Sequence, residues 1–272
     1  MNHPQIAAFA RLAKENTVPT RALEGQKTLI SRTMHSLAYD SIHDEIVVNS
    51  PLAQASLIFR GGANGEEAPI RVIQGPNTQI QGTDYDGNDQ MAFDEMHGEI
   101  YLPVAGSKIL TFSRDANGDV APIRVLGGPD TQIRGTARGH ARVGVDPVHN
   151  LLVVSSSGER GGGGSLLIFD RTATGNAKPK AVLQGPKTGI GGGGAAHMYP
   201  EKGWIIAGCA GGAVCAWSIN DSGDVPPRWK IPVQQIAGVA PSGIALDPDH
   251  KEVIVTSGNR NRVLTFSWPE IF

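Results

Sequence analysis

Hydrophobic positions along the chain fall in short runs of four to seven residues, rich in Val, Ile, Leu and Phe and separated by Gly, Pro, Asn and Asp. Runs of that length predict β-strands, because branched and aromatic side chains suit a pleated, half-buried surface and the intervening residues suit turns. One run recurs as APIRVIQGPNTQI at 68–80, APIRVLGGPDTQI at 121–133 and KPKAVLQGPKTGI at 178–190. Weaker copies are VPTRALEGQKTLI at 18–30 and PPRWKIPVQQI at 226–236. Their prolines, Pro19, Pro69, Pro122, Pro179 and Pro227, are spaced 50, 53, 57 and 48 residues apart, and an aromatic lies ten residues before each: Phe9, Phe59, Phe112, Phe169 and Trp217.

A second signature alternates with the first. It reads LAYDSIHDEIVV at 37–48, MAFDEMHGEIYL at 91–102, VGVDPVHNLLVV at 143–154 and IALDPDHKEVIV at 244–255, with a degenerate copy, AHMYPEKGWIIA, at 196–207. Each unit therefore holds four strands: A (IALD-like), B (EVIV-like), C (LLIF-like) and D (PIRVIQG-like). The A–B and C–D connections carry hairpin turn residues. A period of about 50 residues with four strands per unit predicts the blades of a β-propeller.

Five A strands give an all-β, five-bladed β-propeller of four antiparallel strands per blade, in one domain spanning 1–272. The blades fall near 36–75, 90–128, 141–185, 195–233 and 243–268, with 18–25 supplying the outer strand missing from the last. Closure through both termini would remove an aggregation-prone edge. Residues 5–15 leave two readings open: a short helix, or the remnant of a further blade. The second implies a longer natural chain and a six-bladed ring.

PSGIALD at 241–247 and NGDVAPIRVL at 117–126 resemble the NHL-like repeat propellers of bacteria, and the resemblance extends over nearly the whole chain. It implies the propeller fold and, because such relatives are often exported, a periplasmic or secreted protein. It implies no single chemistry, since such propellers include enzymes, sensors and binding platforms.

Composition narrows the partners. A net charge of −2 advertises neither nucleic acid nor an anionic membrane surface, and no apolar run approaches a membrane span. A monomer is expected. Two cysteines exclude a disulfide scaffold; Cys209 and Cys215 share one predicted hairpin and read as small core residues, with a cross-strand disulfide as the alternative.

Repetition separates scaffold from candidate chemistry. His43, His97, His149 and His250 occupy one slot in the A–B turns, after Asp40, Asp94, Asp146 and Asp247, and read as turn residues bonded to backbone or carboxylate. Arg21, Arg71, Arg124 and Arg228 also recur and read as scaffold. His35, His140 and His197 are blade-specific. Each lies at or just before an A strand, and His197 replaces the small residues Ala38, Ala92, Gly144 and Ala245. They are expected to converge at the channel mouth, where three neutral imidazoles suit Zn, Fe or Mn with a position left open for activated water.

The adjoining loop QGTDYDGNDQ at 81–90 supplies Asp84, Asp86 and Asp89 as candidate general bases or ligands, with Ca as the second-choice metal. Arg138 and Arg142 in the next blade's loop, Tyr85, and Glu159 in the glycine-rich segment 155–165 are candidate ligand-binding residues for a small molecule. Two function classes follow: a metal-dependent hydrolase or lyase of lactone, ester or phosphotriester type, or a non-catalytic propeller that binds a peptide, glycan or protein.

Overall fold

The structure is a computed structural model that describes residues 5–31, 34, 36–50, 53–81, 90–134, 141–157, 163–191 and 196–272. An N-terminal hairpin pairs β1 (Gln5–Ala8) with β2 (Arg21–Glu24). Blade 1 holds β3 (Ser36–Asp40), β4 (Glu45–Ser50), β5 (Ala55–Arg60) and β6 (Arg71–Gln74). Blade 2 holds β7 (Ala92–Asp94), β8 (Glu99–Val104), β9 (Lys108–Ser113) and β10 (Arg124–Gly127). Blade 3 holds β11 (Arg142–Asp146), β12 (Leu151–Ser156), β13 (Ser165–Asp170) and β14 (Ala181–Gln184). Blade 4 holds β15 (Ala196–Tyr199), β16 (Trp204–Cys209), β17 (Ala213–Ser218) and β18 (Trp229–Ile231). Blade 5 holds β19 (Gly243–Asp247), β20 (Glu252–Ser257) and β21 (Arg262–Ser267). Every pairing within a blade is antiparallel, and the hydrophobic clusters lie between successive blades.

The repeated residues are explained by what they bond. In the A–B turns the buried Asp40, Asp94 and Asp146 accept the backbone N–H of His43, His97 and His149, and the imidazole Nδ1 atoms lie 2.7, 2.8 and 2.8 Å from the same carboxyls. His250 and Asp247 repeat the pair. The fourth turn residue must be left-handed, and the chain places Asp44, Gly98, Asn150, Gly203 and Lys251 there. After the D strand, Thr78, Thr131 and Thr188 donate to Gly75, Gly128 and Gly185 and accept from Ile80, Ile133 and Ile190, closing the G-P-x-T-x-I turn. Each turn is latched by the following blade: Asp119 accepts Asn77 N–H, Asn176 accepts Asp130 N–H and Asp224 accepts Lys187 N–H.

Neighbouring blades are joined by a residue triad: the first residue of strand B, the second residue after the proline on strand D, and a C–D turn residue of the next blade. In blade 1 these are Glu45, Arg71 and Arg114; Glu45 accepts from Arg71 at 2.6 and 3.0 Å and from Arg114 at 3.1 Å. In blade 2 Glu99 accepts from both Arg124 and Arg171. Burial works to raise the Glu99 carboxyl, but hydrogen bonds from Arg124 and Tyr101 and the charges of Arg124 and Arg171 hold it below the usual range. In blade 3 all three members turn apolar together, as Leu151, Ala181 and Ile219, which pack in one cluster. In blade 4 the slots hold Trp204, Trp229 and Trp268, and Trp204 and Trp268 pack with Tyr199.

Five blades stand as the sequence predicts. Of the two readings left open for 5–15, residues 5–8 take the strand expected of a further blade and not a helix. Two details are corrected. β2 was expected to complete blade 5, but it pairs with β1, Ala8 opposite Arg21, and not with β21. The hairpin lies between blades 5 and 1: Arg11 bonds Glu252 at 2.9 Å, repeating the contact of Arg114 with Glu45, and Leu23 bridges Gly65 as Ile73 bridges Gly118. Finally, Cys209 and Cys215 are joined in a disulfide rather than standing as separate core thiols. Cys209 sits opposite Ala213 and Cys215 opposite Ala207, so the thiols are diagonal neighbours across the hairpin, with Cα atoms 5.9 Å apart.

The triads predict a specific mutational cycle. Glu45→Leu alone strips Arg71 of its carboxylate, leaves Arg114 with only Asp40 and Asp115, and costs about 3 kcal/mol of stability. Adding Arg71→Ala and Arg114→Ile, which copies blade 3, recovers stability to within about 1 kcal/mol of wild type. Urea denaturation of the three proteins checks this; a triple variant no more stable than the single would reject it.

Candidate functional site

The A strands are the innermost of each blade, and the D–A and B–C connections lie at one end of the ring. Two sequence-predicted site residues fall on described parts of this end. His197 is the second residue of β15 and pairs with Ile206, in the register where Ala38 faces Val47 and Gly144 faces Val153. Arg142 opens β11 and forms a parallel bridge with Gln90, the residue before β7. His35, His140, Asp84, Tyr85, Asp86, Asp89, Arg138 and Glu159 lie outside the described residues.

The inner strands of blades 3 and 4 approach closely: a Cβ on Gly144 would stand 2.9 Å from the Ala196 carbonyl oxygen. That approach brings Gln90 of the blade 2 edge across to blade 4. Its Nε2 lies 3.4 Å from the Ala196 carbonyl and 2.9 Å from His197 Nε2. A group beside a carbonyl is the donating end of the amide, so Gln90 donates and His197 Nε2 accepts. The imidazole is then neutral, with its proton on Nδ1. Burial among protein atoms, reinforced by the positive charge of Arg142, lowers the His197 pKa to about 4. Some of its surface remains accessible.

Gln90 went unnoticed in the sequence. It lies two residues before Ala92, in the sequence slot held in the other blades by Ser36, Arg142, Ala195 and Gly243, and comparison of all blade-specific polar residues, rather than histidines alone, singles it out. His197, Gln90 and Arg142 thus form a polar cluster drawn from three blades at the loop end. Within it the Gln90 amide and the His197 imidazole are bonded to each other, with the positive charge of Arg142 nearby. Among the described residues no group of three His, Cys, Asp or Glu side chains is placed to hold a metal ion.

At the same end a cleft of about 330 Å3 opens between blades 3 and 4, lined by Gly163, Gln184, Pro186, Gly189, Ile190 and Ala210. Glycines shape it, since a Cβ on Gly164 would stand 2.3 Å from the Gly191 carbonyl oxygen, and Gly164 N–H donates to Ile190. The adjacent disulfide holds the blade 4 wall, because Ala210 N–H donates to Gly189 beside Cys209.

No family model and no curated protein matches the chain.

The His197 environment gives a pH prediction. Its folded pKa of about 4 lies below the ordinary 6.5. As pH falls below 6.5 the unfolded chain takes up a proton that the folded chain refuses until about pH 4, so stability is lost across that window. The stability difference between wild type and His197→Asn therefore shifts against wild type by about 2 kcal/mol on moving from pH 7 to pH 4.5. Denaturant titrations at several pH values test it; parallel curves for the two proteins would reject it.

Proposed function

We propose that this protein is a binding propeller of NHL-like type whose loop end takes a small polar or anionic ligand beside Arg142, Gln90 and His197. The observation that carries the reading is the Gln90–His197 contact: three blades contribute polar groups to one place on inner strands where other blades carry Ser, Ala or Gly. A guanidinium beside an amide donor suits a carboxylate or phosphate. The backbone positions of these groups are fixed by the scaffold, since His197 lies on β15, Arg142 opens β11 and Gln90 bridges to it just before β7.

A metal-dependent hydrolase of lactone, ester or phosphotriester type at the same mouth is the second reading. One observation favours it: His197 is neutral at physiological pH, the state that ligation requires. Its Nε2 is engaged by Gln90, so ligation there would require the amide to turn away.

Elemental analysis of wild type beside His197→Ala separates the two. Near-stoichiometric Zn, Fe or Mn lost in the variant supports the hydrolase. Calcium unaffected by the variant moves the metal to Asp84, Asp86 and Asp89. With no metal, the binding reading predicts that citrate, phosphate or one of a panel of dicarboxylates raises the melting temperature of wild type and not of Arg142→Ala; no response from any of them overturns it.

The Cys209–Cys215 disulfide supports export to an oxidising compartment, periplasmic or extracellular. Thiol titration of protein isolated under alkylating conditions is expected to find no free thiol, and two free thiols would reject export.

A further inference from the structure

The N-terminal hairpin occupies a sixth position in the ring, between blades 5 and 1, with only the outer half of a blade. The two walls of that position are uncovered. Leu37 on β3 is 50% exposed, whereas its counterparts Met91, Val143, Ala196 and Ile244 are 7% exposed or less. Val263 on β21 is 65% exposed, whereas Ser56, Ile109, Leu166 and Val214 in the same slot are 1% or less. Tyr39 is exposed beside Leu37. Among the described residues β21 pairs with β20 alone, and β1 with β2 alone, so each offers an open edge to the gap.

The charges of the gap are half-filled triads. Glu45 and Glu99 each receive two arginines, but among the described residues Glu252 receives Arg11 alone. Arg71 and Arg124 each bond the carboxylate that opens their own blade's B strand, but Arg21, in the same slot, donates to the Gly61 carbonyl and, among the described residues, pairs with no carboxylate. The missing members are one arginine on an outer strand beside β21 and one carboxylate opening a B strand beside β1.

We propose that the gap is a docking groove for a separate polypeptide that supplies an outer strand followed by an A–B hairpin, its arginine reaching Glu252 and its carboxylate reaching Arg21. Apolar side chains of the hairpin cover Leu37, Tyr39 and Val263. Backbone pairing along β21 and β1 supplies affinity, and the two charges fix register. A second copy of this chain has no such segment to give: the strands of its blades are paired within their own sheets, and its hairpin is of C–D type.

A peptide with the sequence of residues 68–102 has the required order and carries Arg71 and Glu99. Calorimetric titration into the intact protein is expected to show 1:1 binding in the micromolar range, on the order of −8 kcal/mol. Leu37→Asp and Arg21→Glu each weaken it about tenfold. Glu99→Arg in the peptide weakens binding to wild type and restores binding to Arg21→Glu. Absence of binding at about 100 μM, indifference to both charge reversals, or a dimer in solution that buries Leu37 and Val263 overturns the proposal. If the peptide is too insoluble to titrate, the same sequence is appended after Phe272 through a Gly/Ser linker. Hydrogen exchange then reports on β21: slowed exchange supports docking, and unchanged exchange overturns it.

Discussion

The constraint on which the ring depends is the junction of three side chains, from the start of a blade's second strand, from its outer strand and from the next blade, filled in blades 1 and 2 by a carboxylate gripped by two arginines. Blades have no covalent connection beyond a single D–A loop, and apolar contact is non-directional, so it alone leaves their rotation about the channel weakly specified. The Glu45 and Glu99 triads fix it with charged hydrogen bonds at the turn end. The loop from each following blade latches the Gly-Pro turn at the opposite end of the D strand. The triads are partly buried, so their net stabilisation is small next to the cost of breaking one member. That asymmetry accounts for blades 3 and 4, where all three residues change together: Leu151, Ala181 and Ile219 in one, three tryptophans in the other. A single change would leave a charge stranded; a concerted change leaves a packed interface.

The repeat made the blades legible because each recurring residue answers a local demand that returns with every blade. Asp and His cap a turn, Thr and Ile close the Gly-Pro bend, and the aromatic before the C–D turn, Phe112 or Phe169, fills an interface. What was not legible required knowing a partner. β2 carries a D-strand sequence that suits either β1 or β21, and local sequence has nothing with which to choose. Cys209 and Cys215 are six residues apart across a hairpin, and whether their thiols meet depends on one diagonal step of register, set by the turn at 210–212. The candidate site was half legible: His197 stands out as a large residue in a small-residue slot, whereas Gln90 reaches it from blade 2 only because Gly144 lets the inner strands close up.

The two ends of the propeller are therefore used differently. At the turn end, every blade but the fourth spends its Asp–His pair on closing a hairpin, and Glu45 and Glu99 are spent on the triads. These carboxylates are bonded within the scaffold and offer little to a ligand. At the loop end the blades stop repeating. Ser36, Gln90, Arg142, Ala195 and Gly243 share one slot yet differ in size, charge and hydrogen-bonding capacity. A ring of equivalent positions carrying unlike side chains costs the packing regularity that the remainder of the chain preserves. Neutral His197 belongs to that end: its burial excludes the proton that solvent would otherwise supply, so the imidazole presents one donor and one acceptor whose directions are set by Gln90 rather than by pH across the physiological range.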